Sequence, residues 1–570
     1  MKSFQLACGL LLASSLYPML SHANQATMNR AQCDQFKSAT IAANEIGLPT
    51  TGAGIVNAEW KFEGLLGVDS YCKLDGEISP VDPAAPPIKF TANFPMIWNK
   101  RALMFGGGGL NGTIPPSNGP FMHSLFVESP LKQRFVTFSS DSGHSSKGLA
   151  VTDGSFALNE EALNNFAGDA LKKTRDTVAY LINAGYATRP TYWYGIGGSE
   201  GGREVLALAH RWPEEWDGIV SWYPAARIAD QVRSYAGWSQ ALAAPGGFLS
   251  VNERQVLHES VLATCDGLDG VKDGLVSNPD ACRAAFNPKN AKKADGWPLR
   301  CIFQSAAGLN EVCLSDSQIN TLNVMTSPTS FSTKTVRGDK DFPGVEWNAA
   351  FGISKIKDLE SGVGAIAGVM GMGFVAPSYP EVTDDFKRLA MAADTQFGDA
   401  AFRYFVARNA TANILKFNVN DPGPFQSRIT ALEGLLNMNN SDLTPFFKKG
   451  GKIILLQGMS DPVVPLQSTR RYYNDVVSAV NATKPGSASS SIRYYEIPGM
   501  GHAAGGDFNG QWDGLAAVQK WVEDGTAPVY PVVWDLLNPL TSRPLCEYPA
   551  WPKYVGGNAD FFLSFKCATN

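Results

Sequence analysis

Histidine is scarce in this chain, with six residues in 570. No two cysteines stand in C-x-x-C spacing, which argues against a zinc site. No basic run or patch stands out, and Asp and Glu outnumber Lys and Arg by 53 to 48, so nucleic acid is not an expected partner. A stable membrane span is not expected either. The apolar stretch Leu6–Leu20 is too short and too early, and Gly362–Pro377 is short and rich in glycine. No fixed-period repeat or low-complexity tract interrupts the chain.

The length leaves room for two or more compact units. Residues 1–23 read as a secretory signal: Lys2, then Leu6–Leu20, then the small-residue site Ser21-His22-Ala23. Cys8 follows Leu6-Ala7 but precedes most of the apolar region, so it is not expected to carry lipid. Removing the signal takes Lys2 with it and moves the net charge from -5 to -6. Eight cysteines remain: Cys33, Cys72, Cys265, Cys282, Cys301, Cys313, Cys546 and Cys567. An even number behind a signal implies disulfides and a secreted or periplasmic location. Connectivity is not fixed by sequence, although the spacing suggests four local pairs taken in order.

Strand-like segments fall at 88–106, 134–138, 191–196, 218–223, 452–456 and 492–497. Helical periodicity runs over 159–184, 202–212 and 513–523. Such alternation predicts an α/β fold with a parallel sheet. The regular pattern lapses between about 226 and 446. We read 24–225 and 446–570 as two parts of one domain, and 226–445 as an inserted lid whose Gly362–Pro377 stretch is either packed core or a wall of the substrate pocket.

Gly197-Gly-Ser199-Glu-Gly-Gly202 lies between the aromatic run Thr191–Ile196 and the amphipathic run Gly202–Trp212. It fits G-x-S-x-G, the sharp strand-to-helix turn that holds a serine hydroxyl over a sheet. A serine hydroxyl needs a base to take its proton and a carboxylate to orient that base. With this elbow the chain order is serine, acid, histidine. His123 and His144 come too early, and His210 follows the serine too closely. His258 sits in a segment read as a lid helix. His502, in Pro498-Gly-Met-Gly-His502 after the last predicted strand, is therefore the expected base. Asp461 ends the apolar strand Lys452–Leu456 and its turn, and is the expected acid.

A tetrahedral oxyanion also needs donors. The backbone N–H of Glu200 follows the nucleophile directly. The second is expected from Gly106-Gly-Gly-Gly109, with Gly108 the expected donor and its neighbours the alternatives; no P-loop lysine and serine follow this run. In the lid, Cys265-Asp-Gly-Leu-Asp269-Gly-Val-Lys-Asp273-Gly-Leu275 spaces carboxylates and turn glycines as a calcium loop does. Asp266, Asp269 and Asp273 would supply carboxylates, and Val271 and Leu275 carbonyls. The loop lacks the EF-hand glutamate, and a solvated acidic loop is the alternative. Any Ca2+ here would be structural.

Together these residues resemble the tannase and feruloyl esterase family, secreted α/β-hydrolases that cleave esters of aromatic carboxylic acids. The resemblance rests on the glycine loop 106–109, Asp141-Ser-Gly-His144, Gly198-Ser-Glu-Gly-Gly-Arg203, the acidic loop 265–275, Gly458-Met-Ser-Asp461 and Gly499-Met-Gly-His502. It implies a lid over the active site, calcium in that lid, the four cysteine pairs in order, and a small aromatic ester such as a gallate, a hydroxycinnamate (ferulate) or a terephthalate monoester as substrate. One departure stands out. The family typically carries cysteines directly before the serine and directly after the histidine, joined across the active site; here those positions are Gly198 and Ala503. Rival readings are a secreted serine hydrolase of another class, either a peptidase or an aliphatic esterase, since a triad does not distinguish ester from amide, and a noncatalytic binding protein on the same fold. Arg403 is weighed as a contact for a substrate carboxylate against a structural ion pair.

Overall fold

The computed structural model describes residues 26–146, 152–302, 312–351, 370–503 and 505–569. The signal segment 1–23, with Cys8, and the first part of Gly362–Pro377 lie outside the described residues.

Ten strands form the main sheet: β1 (Thr40–Ile41), β2 (Gly52–Lys61), β3 (Tyr71–Ser79), β4 (Ile88–Pro95), β5 (Arg101–Phe105), β6 (Val136–Ser140), β7 (Tyr192–Gly198), β8 (Gly218–Trp222), β9 (Lys452–Gly458) and β10 (Ile492–Ile497). Their spatial order is β10-β9-β8-β7-β5-β6-β4-β3-β2-β1. The six strands from β10 to β6 run parallel, as expected. The remaining four extend the sheet antiparallel, so the sheet is mixed rather than purely parallel.

The two halves differ because they are covered differently. Strand β8 is buried throughout, and alternate residues serve opposite faces. Ile219, Ile453 and Leu455 pack with Val205, Leu206 and Leu208 of the helix Glu200–Arg211. Val220, Ile454 and Leu456 pack with Leu515, Val518 and Trp521 of the helix Gly514–Asp524. A strand covered on both faces reads as a continuous apolar run. Strand β3 instead alternates buried with more exposed residues along most of its length, as a sheet with one wetter face does.

The chain leaves the sheet at Trp222 and rejoins it next door at Lys452. Between these points lie the helices Ile228–Ala243, Val251–Cys265, Asp316–Thr326 and Gln426–Leu436, with a core that includes Trp238, Leu257, Leu322 and Leu432. Four disulfides join Cys33–Cys72, Cys265–Cys282, Cys301–Cys313 and Cys546–Cys567, the in-order pairing. Among the described residues no helix is long and apolar enough to cross a membrane.

Candidate active site

Ser199 sits between β7 and the helix Glu200–Arg211 with φ 61° and ψ -124°, a conformation that costs an L-residue energy and needs external support. Its N–H donates to Trp222 O at 3.0 Å, and its carbonyl accepts from Ala225 and Arg203 N–H at 3.1 Å each. Two peptide segments therefore hold the strained turn. Glycine is required beside it: a Cβ on Gly201 would lie 2.3 Å from Gly107 O. Because of that close approach, the glycine loop rests directly on the first turn of the helix.

The loops that carry Asp461 and His502 are tied to each other. Met459 N–H donates to Ile497 O and Ser460 N–H to Met500 O, both at 2.9 Å. His502 Nε2 stands 2.9 Å from Ser199 Oγ, and His502 Nδ1 stands 2.9 Å from Asp461 Oδ2. Asp461 and His502 are both buried. A carboxylate only accepts, so Nδ1 carries the proton and Nε2 turns its lone pair to the serine hydroxyl. Asp461 is itself fixed. Its Oδ1 accepts from Val463 and Val464 N–H at 2.8 Å each, and Oδ2 accepts from Gln457 Nε2 at 3.1 Å. Gln457 is held in turn by Thr469 Oγ1, which donates to Gln457 Oε1 at 2.7 Å.

Glu200 opens the helix, so its backbone N–H belongs to the first turn, where no intrahelical acceptor exists. Its side chain points away into a buried pair with Arg203, whose Nε donates to Glu200 Oε1 at 2.7 Å. Burial pushes the Glu200 carboxyl up, to about 7, against the pull of that guanidinium. Gly108 borders open space, because a Cβ there would meet no protein atom within 4 Å. Its neighbour Gly107 donates its N–H to Glu204 Oε2 at 2.7 Å.

The family model for tannase and feruloyl esterase matches residues 72–568. The chain belongs to that family. An uncharacterized esterase of Agrobacterium fabrum is 35% identical over 551 residues, covering 94% of this chain and 93% of the relative. The mono(2-hydroxyethyl) terephthalate hydrolase of Piscinibacter sakaiensis is 27% identical, covering 95% and 92%. The crystal structure of feruloyl esterase B from Aspergillus oryzae superposes with a TM-score of 0.72 at 21% identity, covering 94% of this chain and 99% of that one. The chain is accordingly an α/β-hydrolase and a carboxylic ester hydrolase.

In this esterase the inserted segment reaches the loop that carries Asp461. Tyr235 Oη donates to Val463 O at 2.8 Å, and Asn348 Nδ2 donates to Ser460 Oγ at 3.1 Å. Neither contact is signalled in the sequence, since both partners lie far away along the chain. His258 falls on the helix Val251–Cys265 and faces Asp507 at 3.3 Å. Arg403 is buried against Asp399, its Nε donating to Oδ2 at 2.8 Å, so the structural ion pair describes it.

The acidic loop gathers its residues without closing a cage. Among the described residues no group of three or more His, Cys, Asp or Glu side chains is arranged to hold a metal ion. Asp266 Oδ1 accepts Asp273 and Gly274 N–H at 3.0 and 3.1 Å, while Asp273 Oδ2 accepts from Arg543 Nη2 at 2.6 Å. Asp269 Oδ2 is buried with no hydrogen-bond partner. Burial raises all three carboxyls, Asp273 to about 6. An orphaned buried oxygen in an all-oxygen donor set, with more carboxylates than Arg543 neutralises, fits a hard cation.

Proposed function

We propose that this esterase is secreted or periplasmic, acts on esters of aromatic carboxylic acids and works through an acyl-enzyme on Ser199. The observation that carries the reading is the continuous chain Ser199 Oγ, His502, Asp461 at a strained elbow. Ser199 Oγ attacks the ester carbonyl as His502 Nε2 takes its proton, and Asp461 holds the imidazole in the required tautomer. The N–H groups of Glu200 and Gly108 receive the oxyanion. Collapse expels the alcohol, which leaves with the proton from His502. Water, activated by the same nitrogen, then releases the acid and frees Ser199.

Residues 226–445 act as the lid that selects substrate; the contacts of Tyr235 and Asn348 with the acid loop support this. The names of the feruloyl esterase and terephthalate-monoester relatives favour an aromatic acyl group. Four disulfides favour an oxidising compartment. In the acidic loop, Asp266, Asp269 and Asp273, with the carbonyls of Val271 and Leu275, would hold a structural Ca2+ whose charge supports the fold and takes no part in the chemistry.

The deciding experiment is a set of initial rates on methyl gallate, methyl ferulate, mono(2-hydroxyethyl) terephthalate, a short aliphatic ester and an aryl amide, with Ser199→Ala as control. Serine-dependent preference for one aromatic acid is expected. Activity confined to the aliphatic ester or the amide overturns the substrate class. Residual activity of Ser199→Ala near that of the parent overturns the mechanism.

A further inference from the structure

Tyr223, the first residue after β8, is buried and holds φ 32°, a left-handed backbone uncommon for an aromatic residue. Two features of the site meet at its ring. One is Gly198, directly before the nucleophile: a Cβ at Gly198 would lie 2.8 Å from Tyr223 Oη and 2.9 Å from two of its ring carbons. His502 also packs against the ring, with its own ring centroid 4.7 Å from that of Tyr223. The tyrosine ring thus lies against both Gly198 of the elbow and the His502 ring.

Its hydroxyl is locked. Tyr223 Oη lies 2.6 Å from His123 Nε2, and His123 Nδ1 lies 3.2 Å from Gly510 O. A carbonyl only accepts, so Nδ1 carries the His123 proton and Nε2 accepts from the tyrosine. His123 also stacks on Trp222 at 4.3 Å, which fixes its plane. Burial drives His123 down to about 3 and Tyr223 well above its ordinary value, so both stay uncharged across the working range of an esterase. Met122 Sδ, 3.6 Å from Oη, is a weaker alternative acceptor.

We infer that Tyr223, held by His123, is the positioning residue that sets the separation of Ser199 and His502, a noncovalent wedge between Gly198 and the base. The inference rests on the proposed roles of Ser199 and His502. It assigns a function to a histidine and a tyrosine outside the hydrogen-bonded chain Ser199–His502–Asp461. A bulky ring at this place also accounts for glycine at 198, since any side chain there would displace it.

The test is kinetic and counts only active sites. Parent, Tyr223→Ala, Tyr223→Phe, His123→Phe and His123→Phe/Tyr223→Phe are titrated with a fluorophosphonate, so misfolded protein is excluded from the rate. Per titrated site, Tyr223→Ala is expected to lose about 10- to 100-fold in kcat with KM nearly unchanged, because small misplacements of reacting groups cost this much. The rate constant for fluorophosphonate labelling, which bypasses the substrate pocket, should fall in parallel. Tyr223→Phe keeps the ring and most of the rate. His123→Phe strands the buried hydroxyl and falls further, and the double variant recovers toward Tyr223→Phe because both polar groups are then gone. If Tyr223→Ala does not fold, Tyr223→Leu gives the same measurement. A parental kcat and labelling rate per site in the alanine or leucine variant overturns the inference, whatever the melting temperature. Ser199→Ala separates the two levels: an inactive, unlabelled Ser199→Ala beside a fully active Tyr223→Ala removes the wedge alone, whereas an active Ser199→Ala removes the reading beneath it.

Discussion

Glu204 Oε2 accepts the N–H of Gly107 at 2.7 Å, so the nucleophile helix grips the glycine loop through a single buried carboxylate. Its other oxygen accepts from Ser142 Oγ at 2.6 Å and from Asn111 Nδ2. The placement of the glycine loop therefore depends on Glu204, on the helix that follows the serine. Glu204→Gln keeps the volume but sets an amide among these donors. It is expected to lower kcat about 10-fold with little change in KM, somewhat less than outright loss of an oxyanion donor. Steady-state rates on the preferred ester check this; an unchanged kcat would mean that Gly107 is held without Glu204.

Glu204 also marks where sequence reading stops. The convergence of Ser199, Asp461 and His502 is legible because each follows an apolar strand, a signal local in sequence. Glu204 carries no such signal: it sits four residues after Glu200 in an amphipathic helix, and its value comes from a loop 97 residues away. The antiparallel strand β2 escapes for a related reason. The segment Gly52-Ala-Gly-Ile-Val-Asn-Ala-Glu59 shows little apolar alternation, and it becomes a strand by pairing with β3. The helix Leu466–Thr483 is absent from the expected elements, although its buried positions, among them Leu466, Tyr472, Val476 and Val480, recur at helical spacing. In the interval 226–446 the lapse of pattern reflects a helical insertion whose elements pack against one another and the adjoining segments.

Gln457 holds Asp461 as Asp461 holds His502. Its Nε2 donates to Asp461 Oδ2, the same oxygen that faces His502. Asp461→Asn should cost about 10,000-fold in kcat, because an amide favours the wrong imidazole tautomer. Gln457→Leu removes one donor and leaves the two backbone donors from Val463 and Val464, so a loss of about 10-fold is expected. Equal losses in the two variants would contradict the hierarchy of donors around Asp461.

Tyr223 is expected to oppose a crosslink between positions 198 and 503. Any side chain at 198 enters the space of its ring. Gly198→Cys/Ala503→Cys alone is therefore expected to keep free thiols or to lose folded yield. Adding Tyr223→Ala opens the space, and the triple variant should form the disulfide. Intact-mass spectrometry with and without alkylation distinguishes the two; a disulfide in the double variant would show that the ring yields easily.

Calcium is expected to act on stability rather than on turnover per site. Chelation with EGTA should lower the melting temperature by about 2–5 °C, and added Ca2+ should restore it, as mass action on a site present only in the folded state requires. Asp269→Asn should abolish this response, since it alters the one oxygen of the loop that is buried without a partner. Superimposable melting curves with and without EGTA would leave Asp266, Asp269 and Asp273 as a carboxylate loop offset by Arg543 and Lys272.

Asp394 provides a pH dependence whose sign can be worked out. It is fully buried, its Oδ1 accepts the adjacent Thr395 N–H at 2.6 Å, and its Oδ2 has no partner. Burial pushes it up to about 7 from 3.8. The folded chain therefore keeps this proton up to about pH 7, while the unfolded chain releases it near pH 4. Between those values the folded state binds more protons, so its stability falls as pH rises. Asp394→Asn removes the effect. The variant should melt with the parent near pH 4, gain steadily up to about pH 7 and then hold a constant advantage on the order of 2–4 kcal/mol. Denaturant melts at pH 4, 5.5, 7 and 8.5 check the trend. A difference that does not change with pH would mean that Asp394 titrates alike in the folded and unfolded chain, and that a group outside its present shell stabilises the charge.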